Sequence, residues 1–293
     1  TYQTMKTFII TALLCHLALS TPLTSSNILP RDIPAAKPVW QPPLGARFQI
    51  VLSRGLARTR RDVQAGNATI LDLDLFDTPK AQIQQLQAQG KRVICYFSAG
   101  SSESWRSDYK QIKPTDMGEA LRDWPAEKWL DIRSPDIFTL MQSRIKIAAE
   151  KGCDAIDPDN VDAFGDESRK GGGFATPLKQ SDSVAFIRKL SAEAHQHGIA
   201  IGLKNADAIL NQVSDVVEFA VNEQCATDSS GCSMYEKFVN RGKPVFHIEY
   251  AKYTSPDGKN VSISSEEGNS GRQKVSTVIK QMNLDNFVLW CDG

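Results

Sequence analysis

The chain has 293 residues, with 34 acidic and 34 basic side chains, a formal net charge of zero and a pI of about 6.8. A neutral chain without a basic patch gives no reason to expect a nucleic-acid partner. Beyond the first twenty residues, no stretch stays apolar for the roughly 18 residues that a membrane-spanning helix needs. We therefore expect no membrane span.

The N-terminal region has the pattern of an export signal. Met5 is predicted to be the initiator, and Lys6 precedes an apolar run over Phe8–Leu19 that ends in small residues. This run is too short to span a membrane and predicts a signal peptide over residues 1–20. The Ser-, Thr- and Pro-rich residues 21–38 predict a flexible leader. We expect a secreted protein, extracellular or associated with the cell wall.

The remaining residues, 39–293, are predicted to form one domain with alternating strands and helices. Several helical segments end at a Gly that is followed by an apolar, often β-branched run, and this alternation is typical of a parallel βα array. Eight such runs in a domain of roughly 250 residues predict a single (β/α)8 TIM barrel of the α/β class. The predicted strands are Phe48–Leu52, Thr69–Leu75, Arg92–Ser98, Cys153–Asp159, Ile199–Asn205, Val216–Glu223, Pro244–Tyr250 and Asn286–Asp292. The predicted helices include Lys80–Gln89, Asp136–Lys151, Ser181–His197 and Gln273–Met282.

Carboxylate, amide and aromatic residues gather where these strands end. The densest group is Asp157-Pro158-Asp159-Asn160-Val161-Asp162, and a second is Val221-Asn222-Glu223-Gln224-Cys225. Because side chains alternate along a strand, Asp157, Asp159 and Glu223 are expected to face the barrel axis near its mouth. Barrel enzymes carry their chemistry at these strand ends, and two facing carboxylates are the minimum for cleaving a glycosidic bond. An insertion over residues 100–135 is expected to shape the cleft.

Other mechanisms find less support in the sequence. There is no GxSxG elbow for a serine hydrolase and no GxGxxG dinucleotide fingerprint. His195 and His197 point to different sides of a helix and cannot chelate one metal. A Ca²⁺ site formed by Asp157, Asp159 and Asp162 lacks the Gly and distal Glu of an EF-hand. We therefore expect neither a cofactor nor a metal. An alternative to a catalytic role is that the charged residues at the strand ends only pair with one another in an internal salt-bridge layer, for example Lys204 with Asp157.

Cysteines and sequons agree with export. Five cysteines follow the predicted signal peptide, and Cys225 and Cys232 flank a short loop that makes them the expected disulfide pair. The simplest interpretation of the other three cysteines is that they are small buried apolar residues; these are Cys95, Cys153 and Cys291. Asn67 and Asn260 begin N-glycosylation sequons in loop-like surroundings.

The ordered set of tip motifs resembles glycoside hydrolase family 114, the endo-α-1,4-polygalactosaminidases. The similarity extends from about Trp40 to Tyr250. Its motifs are Leu73-Asp74-Leu75-Phe76-Asp77, Gly90 to Tyr96, Gly100 to Asp108, Asp157 to Asp162, Gly202 to Asn205, Asn222 to Cys225 and Lys243 to Tyr250. The resemblance implies a TIM barrel that hydrolyses α-1,4-linked, partly N-acetylated galactosamine polymers.

The resemblance also implies the catalytic pair, Asp159 and Glu223. Asp157 stands where many members carry Glu, so either Asp157 or Asp159 is left as the fourth-strand carboxylate. We expect Glu223 to be the general acid, with a pKa raised by neighbouring acids, and family grounds favour retention. Further tip residues are predicted to bind substrate: Asp74, Tyr96, Asp157, Asn160, Asp162, Lys204, Asn205, Asn222, Glu249, Tyr250, Trp290 and Asp292. Asp72 and His247 are expected to be structural.

The predicted partner is a cationic galactosamine-containing polysaccharide, bound by a monomer, because an acidic mouth attracts ammonium groups even on a neutral protein. Two alternatives remain at this point. One is a glycosidase for another α-linked sugar, such as an α-galactosidase. The other is a catalytically inactive secreted protein that binds polysaccharide.

Overall fold

The computed structural model describes residues 38–53, 66–226, 231–250, 253–254, 261–262 and 275–291. The predicted signal peptide, residues 21–37 of the predicted leader, Asn260 and Asp292 lie outside the described residues. The described residues belong to one compact unit, Ala36–Gly293. Within them, no helix is both long and apolar enough to traverse a bilayer.

A curled nine-stranded sheet with helices packed outside it forms the body of the molecule, and it has the architecture of a (β/α)8 barrel. Its strands are β1 (Phe48–Val51), β2 (Ile70–Asp74), β3 (Arg92–Ser98), β7 (Ala155–Asp159), β8 (Ala200–Lys204), β9 (Phe219–Glu223), β10 (Val245–Tyr250), β13 (Ser276–Lys280) and β14 (Leu289–Trp290). They lie in this order, and each neighbouring pair is parallel except β13 and β14. This arrangement brings the C-terminal ends of eight strands to one rim.

The remaining elements are connections and an inserted sheet. The α-helices are α1 (Lys80–Ala88), α2 (Pro135–Lys151), α3 (Gln180–Gln196), α4 (Leu210–Val213) and α5 (Glu236–Asn240). Short strands β4 (Ser101–Glu103), β5 (Met117–Ala120) and β6 (Glu127–Leu130) form a three-stranded antiparallel sheet in the order β4-β6-β5. A further hairpin pairs β11 (Tyr253–Thr254) with β12 (Val261–Ser262). The predicted insertion over residues 100–135 therefore contains a small sheet of its own.

Helix α2 illustrates how the sequence defines an element. Pro135 occupies its first turn, where the missing N–H is not needed. Ile137, Leu140, Met141, Ile145 and Ala148 recur at helical spacing and are buried on one face. Gly152 ends the helix in the left-handed conformation, with φ of 89°.

The barrel interior is filled mainly by aromatic and β-branched side chains on the inner face of the strands. Phe48 stacks on Phe246 with ring centroids 4.7 Å apart, and Phe246 contacts Phe219 at 5.6 Å. Gly202 on β8 makes room for Phe219, since a Cβ at Gly202 would lie 2.4 Å from that ring. A solid interior leaves the strand ends as the place for a site.

The predicted eighth strand and the helix before it were wrong. Residues 276–280 form the eighth parallel strand, β13, where the prediction had a helix over Gln273–Met282. The β-branched run Thr277-Val278-Ile279 prefers a pleated backbone, and this outweighs the helix-like spacing. The predicted strand Asn286–Asp292 keeps only β14, which pairs antiparallel with β13.

Two disulfides join elements of the barrel. Cys225–Cys232 confirms the predicted pair. Cys95 and Cys153 are also joined, a pairing that the sequence left open. They face the helix layer from β3 and from the residues just before β7, and both are buried. Cys291 lies outside both disulfides.

Candidate active site

Three charged residues end three neighbouring strands. Asp159 is the last residue of β7, Lys204 of β8 and Glu223 of β9. The residue after each has positive φ: Asn160 (61°), Asn205 (49°) and Gln224 (64°). This conformation is uncommon for residues other than Gly and turns the backbone away directly after the charged side chain. Each strand therefore presents its charged side chain at the rim.

The Lys204 ammonium lies between the two carboxylates. Its Nζ is 3.3 Å from Asp159 Oδ2 and 3.3 Å from Glu223 Oε2, and the lysine side chain is only 2% exposed. Burial alone would lower the pKa of Lys204, but Asp159, Glu223 and Asp157 raise it well above its ordinary value. Lys204 therefore carries a permanent positive charge. The two oxygens that contact it are separated by at most twice 3.3 Å, about 6.6 Å.

Asp159 is held by three donors. The Tyr96 hydroxyl donates to Oδ2 at 2.9 Å, Lys204 contacts the same oxygen, and the Asn160 N–H donates to Oδ1 at 2.8 Å. Burial and the negative charge of Asp159 raise the pKa of Tyr96 well above its ordinary value, so the phenol keeps its proton. Asp159 remains 15% exposed and can be reached from the cleft.

Glu223 has a different set of partners. Asn205 Nδ2 donates to Oε2 at 3.0 Å, Tyr250 donates its hydroxyl to Oε1, and Asn205 Oδ1 accepts the Glu223 N–H at 2.9 Å. Burial would raise the pKa of Glu223, but Lys204 and these hydrogen bonds outweigh it and lower the pKa below its ordinary value. The predicted increase in the pKa of Glu223 was wrong, because the nearest charge is a cation.

A buried pair of carboxyl groups lies below this layer. Asp72 on β2 and Asp157 on β7 are both fully buried and close enough to influence each other's pKa. In the described part of the chain no N–H or hydroxyl donates to either group. Burial raises the pKa of Asp157 to about 7, and burial together with Asp157 raises that of Asp72 well above its ordinary value. The pair therefore holds a proton, and Asp157 does not reach the cleft.

Two other predicted residues at the rim differ in their surroundings: Asp74 is paired with a cation, and Asp162 is partly exposed. Arg106 binds Asp74 through Nη1 at 3.0 Å and Nη2 at 2.6 Å and also binds both oxygens of Glu103 at 2.7 Å. Asp74 is thus part of a buried ion-pair cluster. Asp162 is partly exposed, and burial and the charge of Asp159 raise its pKa to about 6.

The prediction that Glu249 lies at the mouth of the barrel was wrong, because the other face of β10 points into the barrel. Phe246, Ile248 and Tyr250 face the barrel interior, so His247 and Glu249 face the helix layer. There His247 Nε2 lies 2.8 Å from Glu249 Oε1, which also accepts the Ala226 N–H at 2.9 Å. The apolar side chains fill the barrel, and the buried His247–Glu249 pair lies outside it. Glu249 is therefore not brought to the mouth.

Two more predicted substrate-binding residues lie elsewhere. Asn222 is buried and its Oδ1 accepts the Cys225 N–H at 3.1 Å, so it supports the loop behind the rim. Trp290 donates its indole N–H to the carbonyl of Phe48 at 3.0 Å. Phe48 begins β1, so Trp290 lies at the end of the barrel opposite the strand tips.

Sequence reasoning missed a polar network beside Asp159. Asn160 Nδ2 donates to Ser98 Oγ at 3.0 Å and to Ser101 Oγ at 3.2 Å, and Ser101 donates to Glu127 at 2.6 Å. Glu127 lies on β6 of the inserted sheet. Its position depends on the pairing of β4 with β6, for which the sequence carries no local signal.

Comparison with known proteins gives a family and a fold. The family model described as "Glycoside-hydrolase family GH114" matches residues 30–293. The crystal structure of Ega3 from Aspergillus fumigatus in complex with galactosamine is 42% identical, covers 87% of this chain and 98% of that chain, and has a TM-score of 0.76.

More distant matches include one solved structure and one sequence relative. The glycoside hydrolase domain of PelA from Pseudomonas aeruginosa is 13% identical, covers 85% of this chain and 98% of that chain, and has a TM-score of 0.61. An uncharacterized protein of Deinococcus radiodurans is 24% identical over 248 residues, which are 76% of this chain and 78% of that protein.

Proposed function

This chain belongs to glycoside-hydrolase family GH114, and from that premise we propose that it hydrolyses α-1,4 bonds between galactosamine units of a polysaccharide, with Asp159 and Glu223 as the reacting carboxylates. The observation that carries the proposal is the arrangement of these two acids around Lys204 at the barrel rim. The sequence identity of 42% to Ega3, whose structure contains galactosamine, supports the choice of sugar.

The shared contact with Lys204 keeps the two carboxylates close together, and together with family membership this supports a retaining mechanism. Retaining glycosidases have carboxyl groups about 5–5.5 Å apart, and inverting enzymes about 6.5–9.5 Å apart. The Asp159 and Glu223 oxygens that share Lys204 are at most about 6.6 Å apart, a bound that is compatible with the retaining separation. Asp159 is the nucleophile and Glu223 the general acid and base.

The two steps use the groups already in place. In the first, Asp159 attacks the anomeric carbon while Glu223 protonates the departing glycosidic oxygen, and a glycosyl ester forms on Asp159. In the second, Glu223 takes a proton from water, which attacks the same carbon and releases Asp159. The Tyr96 hydroxyl and the Lys204 ammonium stabilise the Asp159 carboxylate as it leaves the ester.

The low pKa of Glu223 implies an acidic pH optimum. A general acid must be protonated before the first step. Because the pKa of Glu223 is lowered, its carboxyl group holds this proton only at correspondingly lower pH. An acidic optimum also keeps the amino groups of the polymer charged. The partly exposed carboxylate of Asp159 then attracts the substrate.

Export is a separate part of the proposal. The N-terminal pattern of residues 1–20, the sequon at the exposed Asn67 and two disulfides support a secreted monomer that is free or associated with the cell wall. Mass determination of the protein recovered from culture medium tests processing and glycosylation, and retention in the cytoplasm would contradict this part.

The function is tested with the purified protein and three substrates: a de-N-acetylated α-1,4-galactosamine polymer, its N-acetylated form and a neutral α-galactoside. New reducing ends and a ladder of oligosaccharides from the first polymer are expected, because internal cleavage yields intermediate lengths. ¹H NMR of the first product identifies its anomer, and the α anomer indicates retention. Cleavage of the neutral galactoside alone, or polymer binding without new reducing ends, would contradict the proposal.

A further inference from the structure

A chain of hydrogen bonds connects the inserted sheet to the residue that follows Asp159. Glu127 Oε2 accepts the hydroxyl of Ser101 at 2.6 Å, and Ser101 Oγ lies 2.6 Å from Ser98 Oγ. Asn160 Nδ2 donates to both hydroxyl oxygens, and the Asn160 N–H donates to Asp159 Oδ1 at 2.8 Å. The chain thus runs from β6 to a carboxylate of the site.

The donors in this chain can be arranged in only one direction. The Asn160 amide group and the Ser101 N–H already donate to Ser98 Oγ, so the Ser98 hydroxyl proton points to Ser101. Ser101 Oγ then accepts from Asn160 and Ser98, and its own proton points to Glu127. The arrangement needs an acceptor at its end, and Glu127 supplies it.

The acceptor, Glu127, is buried, so its loss would leave the serine hydroxyl without a partner. Ser98 and Ser101 are fully buried and Glu127 is 9% exposed, so water does not readily replace a lost partner. The charged groups facing Glu127 are its cross-strand neighbour Glu103, Asp159 and Arg106. Arg106 is bound to Glu103 and Asp74. Burial first, and then Glu103 and Asp159, raise the pKa of Glu127 to about 7.

We propose that Glu127 is a positioning residue for hydrolysis: through Ser101 and Ser98 it fixes the Asn160 amide, and Asn160 holds the turn that directs Asp159 into the cleft. Asn160 has a φ of 61°, a left-handed conformation that Asn tolerates better than most residues, and its side-chain hydrogen bonds hold it there. The inference rests on the proposed function of Asp159. It assigns the inserted sheet a role in the chemical step and not only in shaping the cleft.

The experiment compares Glu127→Ala, Glu127→Gln and the control Lys128→Ala, an exposed neighbour on β6. Glu127→Ala removes the terminal acceptor, and kcat is expected to fall about ten-fold with KM unchanged, since polymer binding does not depend on the angle of Asp159. Glu127→Gln keeps an acceptor oxygen and is expected to stay within about two-fold of wild type. Lys128→Ala is expected to match wild type. The Asn160 side-chain amide resonances should lose exchange protection in Glu127→Ala alone.

Two outcomes would overturn the inference. One is a kcat for Glu127→Ala within about two-fold of wild type, and the other is an equal loss in Glu127→Gln, which would indicate that the charge matters and not the acceptor. A wild-type enzyme without turnover contradicts the proposed function itself. An active wild type with a fully active Glu127→Ala contradicts only the positioning role.

Discussion

The Lys204 ammonium lies 3.3 Å from the Asp159 carboxylate across the tips of two adjacent strands. A buried cation in this position needs anionic partners, and a carboxylate in this position needs a cation. The same ammonium contacts Glu223 at the same distance, so one charge fixes the spacing of both acids. Both carboxylates stay partly open to the cleft, which distinguishes the arrangement from a sealed structural salt bridge.

Neutralising either acid is the direct test of the assignment. Asp159→Asn and Glu223→Gln are each expected to reduce kcat by about three orders of magnitude, or about 4 kcal/mol, because each removes one of the two reacting groups. Initial rates of reducing-end release measure the loss. Glu150→Gln, an exposed change on α2, serves as the control. Near-normal turnover in both variants would refute the assignment.

Removing the positive charge of Lys204 should change the pH profile in a defined direction. Lys204 lowers the pKa of Glu223, so in Lys204→Met this pKa rises and the general acid keeps its proton to higher pH. The alkaline limb of kcat/KM is expected to move to higher pH, while kcat falls at least about ten-fold since both acids lose their shared partner. Lys146→Met on the surface of α2 is the control. An unmoved alkaline limb would contradict the role of Lys204.

Strand alternation correctly predicted that Asp159 and Glu223 lie at the rim. On β7 and β9, Ala155 and Phe219 face the barrel interior, and the same period brings Asp159 and Glu223 to the mouth. On β10 both faces carry polar residues, so the sequence did not decide between Glu249 and Tyr250. The packing of Phe246 inside the barrel decides it.

Features that depend on contacts between distant residues could not be predicted from local patterns. The bond between Cys95 and Cys153 joins positions 58 residues apart, and five cysteines allow many pairings. The link from Glu127 to Ser101 requires the register of the inserted sheet. The resemblance to a family led to the proposal of Asp159 and Glu223 as the catalytic pair, whereas the shift in the pKa of Glu223 required the position of Lys204.

The two disulfides should differ in their contributions to stability and to activity. Cys95–Cys153 closes a separation of 58 residues and Cys225–Cys232 one of 7. Chain entropy gives losses of about 4 and about 2.5 kcal/mol in the free energy of unfolding when each is replaced by an Ala pair. Urea unfolding of the two double variants measures the difference.

The shorter disulfide should also affect turnover. Cys225 is two residues after Glu223, and its N–H binds Asn222, so the Cys225→Ala/Cys232→Ala variant is expected to lose kcat even where it is folded. The Cys95–Cys153 bond lies on the helix side of the sheet, away from the rim. The Cys95→Ala/Cys153→Ala variant is therefore expected to keep its kcat below its own unfolding temperature. A wild-type kcat in the folded Cys225→Ala/Cys232→Ala variant, together with a reduced kcat in the folded Cys95→Ala/Cys153→Ala variant, would contradict this prediction.

The buried carboxyl pair should make the wild-type protein less stable as the pH rises. Asp72 and Asp157 have raised pKa values in the folded state, so between about pH 4 and about pH 7 the folded protein binds protons that the unfolded chain has released. The free energy of unfolding therefore falls across this range. In Asp72→Asn the new amide donates to Asp157 in place of the shared proton, and this fall should shrink by about 1 kcal/mol or more. Urea unfolding at about pH 5 and about pH 8 measures it, with the exposed Asp207→Asn as the matched control. If the free energy of unfolding depends equally on pH in wild type, Asp72→Asn and Asp207→Asn, the pair does not hold a proton. Lys204 would then have to balance a buried anion from this pair in addition to Asp159 and Glu223.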